Sequence, residues 1–408
     1  MNYDSGSIGV TMDVAKFEAS PVGVLVPISG TDAYLRRGYK HVAFCPNPLP
    51  HNVPLSLRTH KLLGEAERGI GRLDASVKQL PNPALLVRPT LYREAVATSA
   101  LEGTYAPLAE VFEADLLEER QRSHEVREIL NYVAAAERGL MLIETRPICA
   151  SLVSELQAIL VRGTRGDGFD AGQIRTGQVY IGERGLGIES SRFVPPPAGQ
   201  ILIEGVSEWE KWINEEDDLP LVAKVALAHY QFETLHPFSD GNGRLGRLIV
   251  VLQLIAAEAL GFPVLNLSPW LEARKESYKD HMLAVSASGD FDPWVAFFAE
   301  AVIAQADDAV RRITLIMQIR QRMLDDLRAE RARGVVLEIV DDLVAYPIIT
   351  PSRAASLHGV TYPPANSAIE RLVRLGHLRE VTGGSYGRIF ASDALMLAVE
   401  GQLLDDES

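Results

Sequence analysis

Apolar residues fall at three- and four-residue spacing along most of this chain. That period predicts helices over residues 91–101, 126–143, 151–161, 221–235, 245–260, 271–285 and 294–306. The series is interrupted where Gln178-Val-Tyr-Ile-Gly182, a polar Gly-rich stretch and Phe193-Val-Pro-Pro-Pro197 read as a short hairpin. Residues 1–34 carry no sustained period and are expected to form a loose arm, after which a Pro-rich entry from Phe44 to Pro50 gives way to helical patterns. Residues 309–332 are strongly charged but keep Ile316, Ile319, Met323 and Leu327 at helical spacing. They predict a connecting helix with one sticky face, a candidate seam for a homodimer. Beyond Gly334, helices over 335–345, 352–357 and 365–375 precede a hairpin over 378–391 with glycine at its tip. The expected fold class is mainly α. Its segments are an arm (1–34), an N-terminal helical domain (35–145), a helical core (146–306), a connecting helix (307–333) and a C-terminal domain (334–408).

Composition narrows the possible partners. At 408 residues and 47% hydrophobic content the chain has material for more than one core. A net charge of −14 opposes broad affinity for nucleic acid or for an anionic membrane. Cys45 and Cys149 are too few and too far apart for a disulfide framework or a zinc site. The long apolar stretch 248–265 is broken by Gln253, Glu258, Gly261 and Pro263, so a buried helix and no membrane span is expected there. No charged segment followed by an apolar one opens the sequence, which leads to the expectation of a cytoplasmic protein. The tail resembles a winged helix-turn-helix, yet its five arginines (Arg353, Arg371, Arg374, Arg379, Arg388) are balanced by Glu338, Asp341, Asp342, Glu370 and Glu380. Arg371, Arg374 and Arg388 are the candidates to touch phosphate. Zero balance leaves DNA binding and protein binding both open.

The densest chemistry lies in His236-Pro-Phe-Ser-Asp-Gly-Asn-Gly-Arg-Leu-Gly-Arg247. Pro237 disfavours helical geometry for His236, so the imidazole is expected just past the end of the preceding helix. Gly241 and Gly243 flank Asn242 and allow backbone N–H groups to turn into one concavity, an anion nest. A helix starting near Gly243 points its positive dipole end at the same place. Arg244 and Arg247 are then like charges at the wrong end of that dipole, a placement that suits a bound polyphosphate. His229, seven residues before His236, reads as a hydrogen-bonded core histidine.

These residues fill every fixed position of the signature H-x-F-x-[D/E]-G-N-G-R-x-x-R, and on them the chain resembles the Fic-domain proteins. The resemblance implies a Fic-type helical core with a β-hairpin flap, acting as a nucleotidyltransferase. The implied reaction moves AMP from ATP to a Ser, Thr or Tyr hydroxyl of a target protein or of the chain itself. In that reading His236 is the general base, with an ordinary pKa of about 6.5 that leaves it mostly neutral near pH 7. Asp240 holds Mg²⁺ against the phosphates. Gly241, Asn242 and Gly243 bind the α-phosphate, Arg244 and Arg247 the outer phosphates, and Phe238 anchors the loop. Tyr278 lies where some family members contact the nucleoside.

Two further segments carry the resemblance. Thr98-Ser-Ala-Leu-Glu102-Gly103 is similar to the family's inhibitory pattern [S/T]-x-x-x-E-[G/N], in a helix expected to begin at Thr90 and end at Gly103 with Glu102 in its last turn. The implied partner of Glu102 is Arg247, restrained in place of a γ-phosphate. Val179, Tyr180 and Ile181 correspond to the flap edge on which a target segment docks by strand addition. The alternatives are a winged-helix regulator whose Fic core senses nucleotide, or an enzyme that removes AMP.

Overall fold

A computed structural model describes residues 11–32, 35–116, 119–182, 185–383 and 387–401. Where a loose arm was expected, residues 11–32 begin with α1 (Val14–Glu18) and continue into β1 (Gly23–Thr31), which pairs antiparallel with β2 (Gly38–Pro46) from Gly23↔Pro46 to Thr31↔Gly38. Residues 1–10 and 33–34 lie outside the described residues. Leu25 and Ile28 of β1 pack on a cluster in which Phe44 of β2 meets Phe17, the two rings 5.4 Å apart.

The helical series follows: α2 (Leu57–Lys78), α3 (Val87–Leu101), α4 (Leu108–Ala114), α5 (His124–Ile143), α6 (Ala150–Val161), α7 (Gln200–Asn214) and α8 (Leu221–Leu235). Next come α9 (Asn242–Ala256), α10 (Ser268–Glu272), α11 (Lys275–Ser288), α12 (Asp292–Ala329) and α13 (Val335–Ala345). The chain closes with β3 (Ile348–Ile349), α14 (Pro351–His358), α15 (Tyr362–Arg374), β4 (Arg379–Glu380), β5 (Phe390–Ala391) and α16 (Asp393–Glu400). The fold is mainly α, as expected. The predicted helix over 271–285 is two helices, because the chain turns between Glu272 and Lys275. The helices expected over 294–306 and 309–332 are one continuous helix of 38 residues, since no Gly or Pro falls between them.

By packing, the chain forms two compact units. One unit holds residues 1–64, 137–253 and 274–300; the other holds 65–136, 254–273 and 301–408. In the first, α8 is buried on nearly every face, and Trp294 and Trp209 donate their indole N–H groups to the carbonyls of Ala226 and Ala228 at 2.8 and 3.0 Å. The indole bonds satisfy polar handles that burial would otherwise make costly.

In the second unit α3 packs against α10, α13 and α16. Ile316, Ile319, Met323 and Leu327 are 3, 8, 1 and 0% exposed, so the face offered as a dimer seam is covered by this chain itself. The tail has helices α13, α14 and α15 in the expected order, with β3, β5 and β4 as an antiparallel sheet in which β5 is central. Thr350 caps α14 by accepting the Arg353 N–H at 3.1 Å, with Pro351 at the first helical position. The hairpin tip at 384–386 lies outside the described residues. Arg371 donates to Glu330, Arg379 to Asp393, and Arg388 to Glu370 and Glu380, while Arg353 lies over the Tyr346 ring. The tail's Arg371, Arg379 and Arg388 are thus engaged with carboxylates of the same chain.

Candidate active site

The site is built where α8 ends and α9 begins. His236 is the C-cap of α8 in the left-handed region, at φ 49° and ψ 60°, with its N–H on the Phe232 carbonyl at 3.0 Å. A non-glycine residue pays steric strain there, on the order of 1–2 kcal/mol. Tertiary bonds must hold it. The imidazole is half-buried, with Nδ1 3.3 Å from the Glu233 carbonyl. A proton on Nδ1 directed at that carbonyl puts the ring's lone pair on Nε2.

The loop closes on Asn242. Its side chain accepts the Phe238 N–H at 2.9 Å and donates to the Phe238 carbonyl at 2.7 Å, with Asn242 2% exposed. The Asn242 amide group thus pins the loop's own backbone, which satisfies a buried amide. Phe238, 2% exposed, packs inward as expected. Gly241 takes φ 84°, and a Cβ there would lie 3.0 Å from Leu160, so both conformation and space ask for glycine. Gly243 is an ordinary residue of the first turn of α9, which starts at Asn242 rather than at Gly243.

The carboxylate of Asp240 is 34% exposed, with Oδ1 3.4 Å from Arg244 Nη2. Gly166 approaches so closely that a Cβ on it would meet that carboxylate at 2.9 Å. Arg244 and Arg247 are 4 and 3% exposed. No group of three or more His, Cys, Asp or Glu side chains that could hold a metal ion is found among the described residues. Asp240 therefore fits a hard cation only of the kind that takes one carboxylate and completes its shell from phosphate and water, as Mg²⁺ does.

Four supporting residues escaped the sequence reading. Gln157 on α6, 2% exposed, donates to the Asp240 carbonyl at 3.0 Å and accepts the Gly172 N–H at 2.5 Å. Ser239 donates to Asp170. Arg175, 1% exposed, reaches the carbonyls of His236, Gly177 and Pro196 at 2.8, 3.0 and 2.6 Å, and its backbone N–H donates to Pro237 at 2.9 Å. Burial lowers its guanidinium to about 10, so it stays cationic at neutral pH. Nothing in the run Gln173-Ile-Arg-Thr176 marks an arginine destined for burial.

The hairpin over 178–197 is smaller than expected. Ile181 and Phe193 form an isolated antiparallel bridge, with the Ile181 N–H on the Phe193 carbonyl at 2.8 Å. Pro195, Pro196 and Pro197 have no N–H to extend the ladder. Tyr180 and Ile181 are partly buried against Phe17, Phe44 and Phe193, and the Phe44 N–H donates to Val194 at 2.9 Å. Val179 is half-buried.

His229 is a core histidine, as expected. Its Nε2 is 2.7 Å from the hydroxyl of Tyr278, a residue that is 4% exposed. Burial, aided by the charge of Arg247, lowers His229 from 6.5 to about 3. The unfolded chain thus binds more protons between those values, and stability present above the unfolded pKa is lost as pH falls through the window. Urea unfolding at pH 7 and pH 5 is expected to show the native chain losing about 2 kcal/mol more than His229→Gln. Equal losses would mean that His229 does not carry this dependence.

α3 begins at Val87, one turn earlier than expected, because a 3₁₀ turn over Pro83–Leu86 leads into it and Pro89 is tolerated in a first turn. Thr98 is 0% exposed, and Glu102 is the exposed C-cap, one residue past the last turn. Gly103 at φ 88° ends the helix, and the Thr104 N–H returns to the Ser99 carbonyl at 2.9 Å. The Thr104 hydroxyl then donates to buried Glu128 at 2.7 Å, which fixes the exit.

Residues 60–141 match the Fic/DOC family N-terminal domain and residues 147–254 match the Fic/DOC family. The chain is a Fic-domain protein. A protein adenylyltransferase fic-1 of Caenorhabditis briggsae is 28% identical over 223 residues, 53% of this chain and 40% of that protein. The one from Caenorhabditis elegans is 35% identical over 136 residues, 33% and 23% of the two chains. The matched part spans less than half the length of these curated relatives. Among solved structures, a Fic family protein of Desulfovibrio desulfuricans superposes with a TM-score of 0.54 at 20% identity, covering 84% of this chain and 98% of that one, which shows the shared fold.

Proposed function

We propose that this chain is a protein adenylyltransferase that moves AMP from ATP to a Ser, Thr or Tyr hydroxyl of a protein, restrained by Glu102. The observation that carries the reading is His236, held in the left-handed region at the end of α8 with Nδ1 3.3 Å from the Glu233 carbonyl, beside the loop that opens α9. In the proposed reaction the hydroxyl oxygen attacks the α-phosphorus and its proton passes to Nε2 of His236. The bond from the α-phosphorus to the bridging oxygen breaks, and pyrophosphate leaves. The N-terminus of α9 binds the anion through its backbone N–H groups, where charge builds in the transition state. Arg244 and Arg247 hold the outer phosphates, an arrangement consistent with their burial against like charge. Asp240 would hold Mg²⁺, which supplies neutralising charge to the phosphates when bound. Glu102 would compete with the γ-phosphate for Arg247.

Labelled ATP decides the class of reaction. Incubation with a cell lysate and Mg²⁺ is expected to put α-labelled ATP's label on protein and to leave γ-labelled ATP's label in pyrophosphate. Protein labelling from the γ position would mean phosphoryl transfer and would overturn the assignment.

A further inference from the structure

We propose that Arg175 is a positioning residue that fixes the orientation of His236 relative to the flap, so that one buried side chain sets the geometry between the base and whatever the flap holds. The inference rests on the proposed role of His236 as base. Arg175 lies between two segments that meet at the site and bonds to both. On one side, its Nε donates to the His236 carbonyl at 2.8 Å and its backbone N–H to the Pro237 carbonyl at 2.9 Å. On the other, Nη1 donates to the Gly177 carbonyl at 3.0 Å and Nη2 to the Pro196 carbonyl at 2.6 Å, the two ends from which the flap rises.

Three features argue that this fork does more than fill space. A buried cation is costly, and the three acceptors named here for its guanidinium are backbone carbonyls, so its bonds are spent on chain conformation. His236 occupies a left-handed conformation that a non-glycine residue does not adopt unaided, and the carbonyl on that strained residue is the one Nε holds. Among its described residues the flap has one bridge, Ile181 to Phe193, a short ladder to fix its angle to the loop. Gln178 works in the same direction at one end, donating to the Val179 and Pro195 carbonyls at 2.9 and 3.0 Å. Only a planar guanidinium presents donors in the fixed fork that these diverging carbonyls require, and a lysine ammonium is a single point.

The test uses the full chain with Arg175→Lys and Arg175→Met, each alone and with Glu102→Gly. Hydrogen exchange is followed in peptides covering 176–182 and 236–241. In Arg175→Lys both segments are expected to exchange faster by about tenfold or more, while α8 and α12 keep native protection. Label transfer from α-labelled ATP in the Glu102→Gly background is expected to fall about 100-fold in kcat with the KM for ATP unchanged, the signature of misplaced reacting groups. Guanidinium ion added to the Arg175→Met variant should recover part of the transfer. If that variant does not fold, Arg175→Lys carries the test. Unchanged exchange in both segments, or acceleration spread over α8 and α12 as well, overturns the proposal. So does a rise in the KM for ATP with kcat intact. Should Glu102→Gly alone transfer no label, the transferase reading fails, and the exchange pattern still decides whether Arg175 couples the two segments.

Discussion

Replacing His236 by alanine is expected to lower label transfer by roughly 10²–10⁴-fold, the usual contribution of a positioned general base, while ATP still binds. The two effects separate because they belong to different parts of the loop. In the proposed reading phosphate is gripped by the start of α9 and by Arg244 and Arg247, whereas the imidazole serves the incoming hydroxyl. Phe238 and Asn242 bond to each other across the turn, and Arg175 holds the His236 backbone through its carbonyl, which alanine retains. Calorimetric titration with ATP and Mg²⁺ should therefore give the variant an affinity close to the native one. A variant that still transfers label at the native rate would remove His236 from the role of base. One that loses ATP binding as well would instead make the side chain part of the loop's architecture.

The sequence made the loop legible because its constraints are local. Pro237 after His236 and Gly241 before Asn242 each exclude ordinary backbone, so the end of α8 at Leu235 and the turn into α9 follow from the residues themselves. α8 and α13 were legible for a related reason: a sustained helical period over 221–235 and 335–345 meets chain breakers at both ends. What escaped was whatever depends on partners distant in the chain. Arg175 and Gln157 look like any surface residues until the loop is folded over them, and the two are separated from it by 61 and 83 positions. The two bonds of Asn242 escaped as well, because only the folded turn brings the Phe238 N–H and carbonyl within reach of one amide. The β1–β2 hairpin escaped because Pro27 and the Pro-rich end of β2 discourage a strand reading, and the aromatic cluster that rewards pairing takes Phe193 from 149 residues beyond Phe44.

The tail bears on the competing regulator reading. Its helices and sheet follow the order of a winged helix-turn-helix, but a phosphate-reading face needs arginines available to solvent anions. Arg371 and Arg388, two of the three best placed in the sequence, bond to Glu330 and to Glu370 and Glu380. A duplex would have to break those pairs to use them, and the net charge of −14 works against the approach. The observations favour the reading in which the loop after α8 carries the protein's chemistry.

Glu102→Gly is expected to act in the opposite direction from His236→Ala, raising label transfer by roughly 10–150-fold. That range corresponds to the ~1.5–3 kcal/mol of a hydrogen bond to a charged group, here the one by which Glu102 would withhold Arg247 from ATP. The substitution is well suited to isolate the carboxylate. Glu102 is the exposed C-cap of α3, after the last helical residue, and the left-handed turn that stops the helix is made by Gly103. Bonds from Thr104 to Ser99 and Glu128 fix the exit of the helix. A negative charge at this end of a helix also opposes the dipole, and its loss is not expected to lower the melting temperature. Glu102→Gln separates charge from shape: a gain close to that of the glycine variant would assign the restraint to charge, whereas a native-like rate would assign it to the bulk of the side chain. Adding His236→Ala to Glu102→Gly should return transfer to background. If Glu102→Gly leaves both the transfer rate and the KM for ATP at native values, the restraint on Arg247 is refuted while the base assigned to His236 stands on its own measurement.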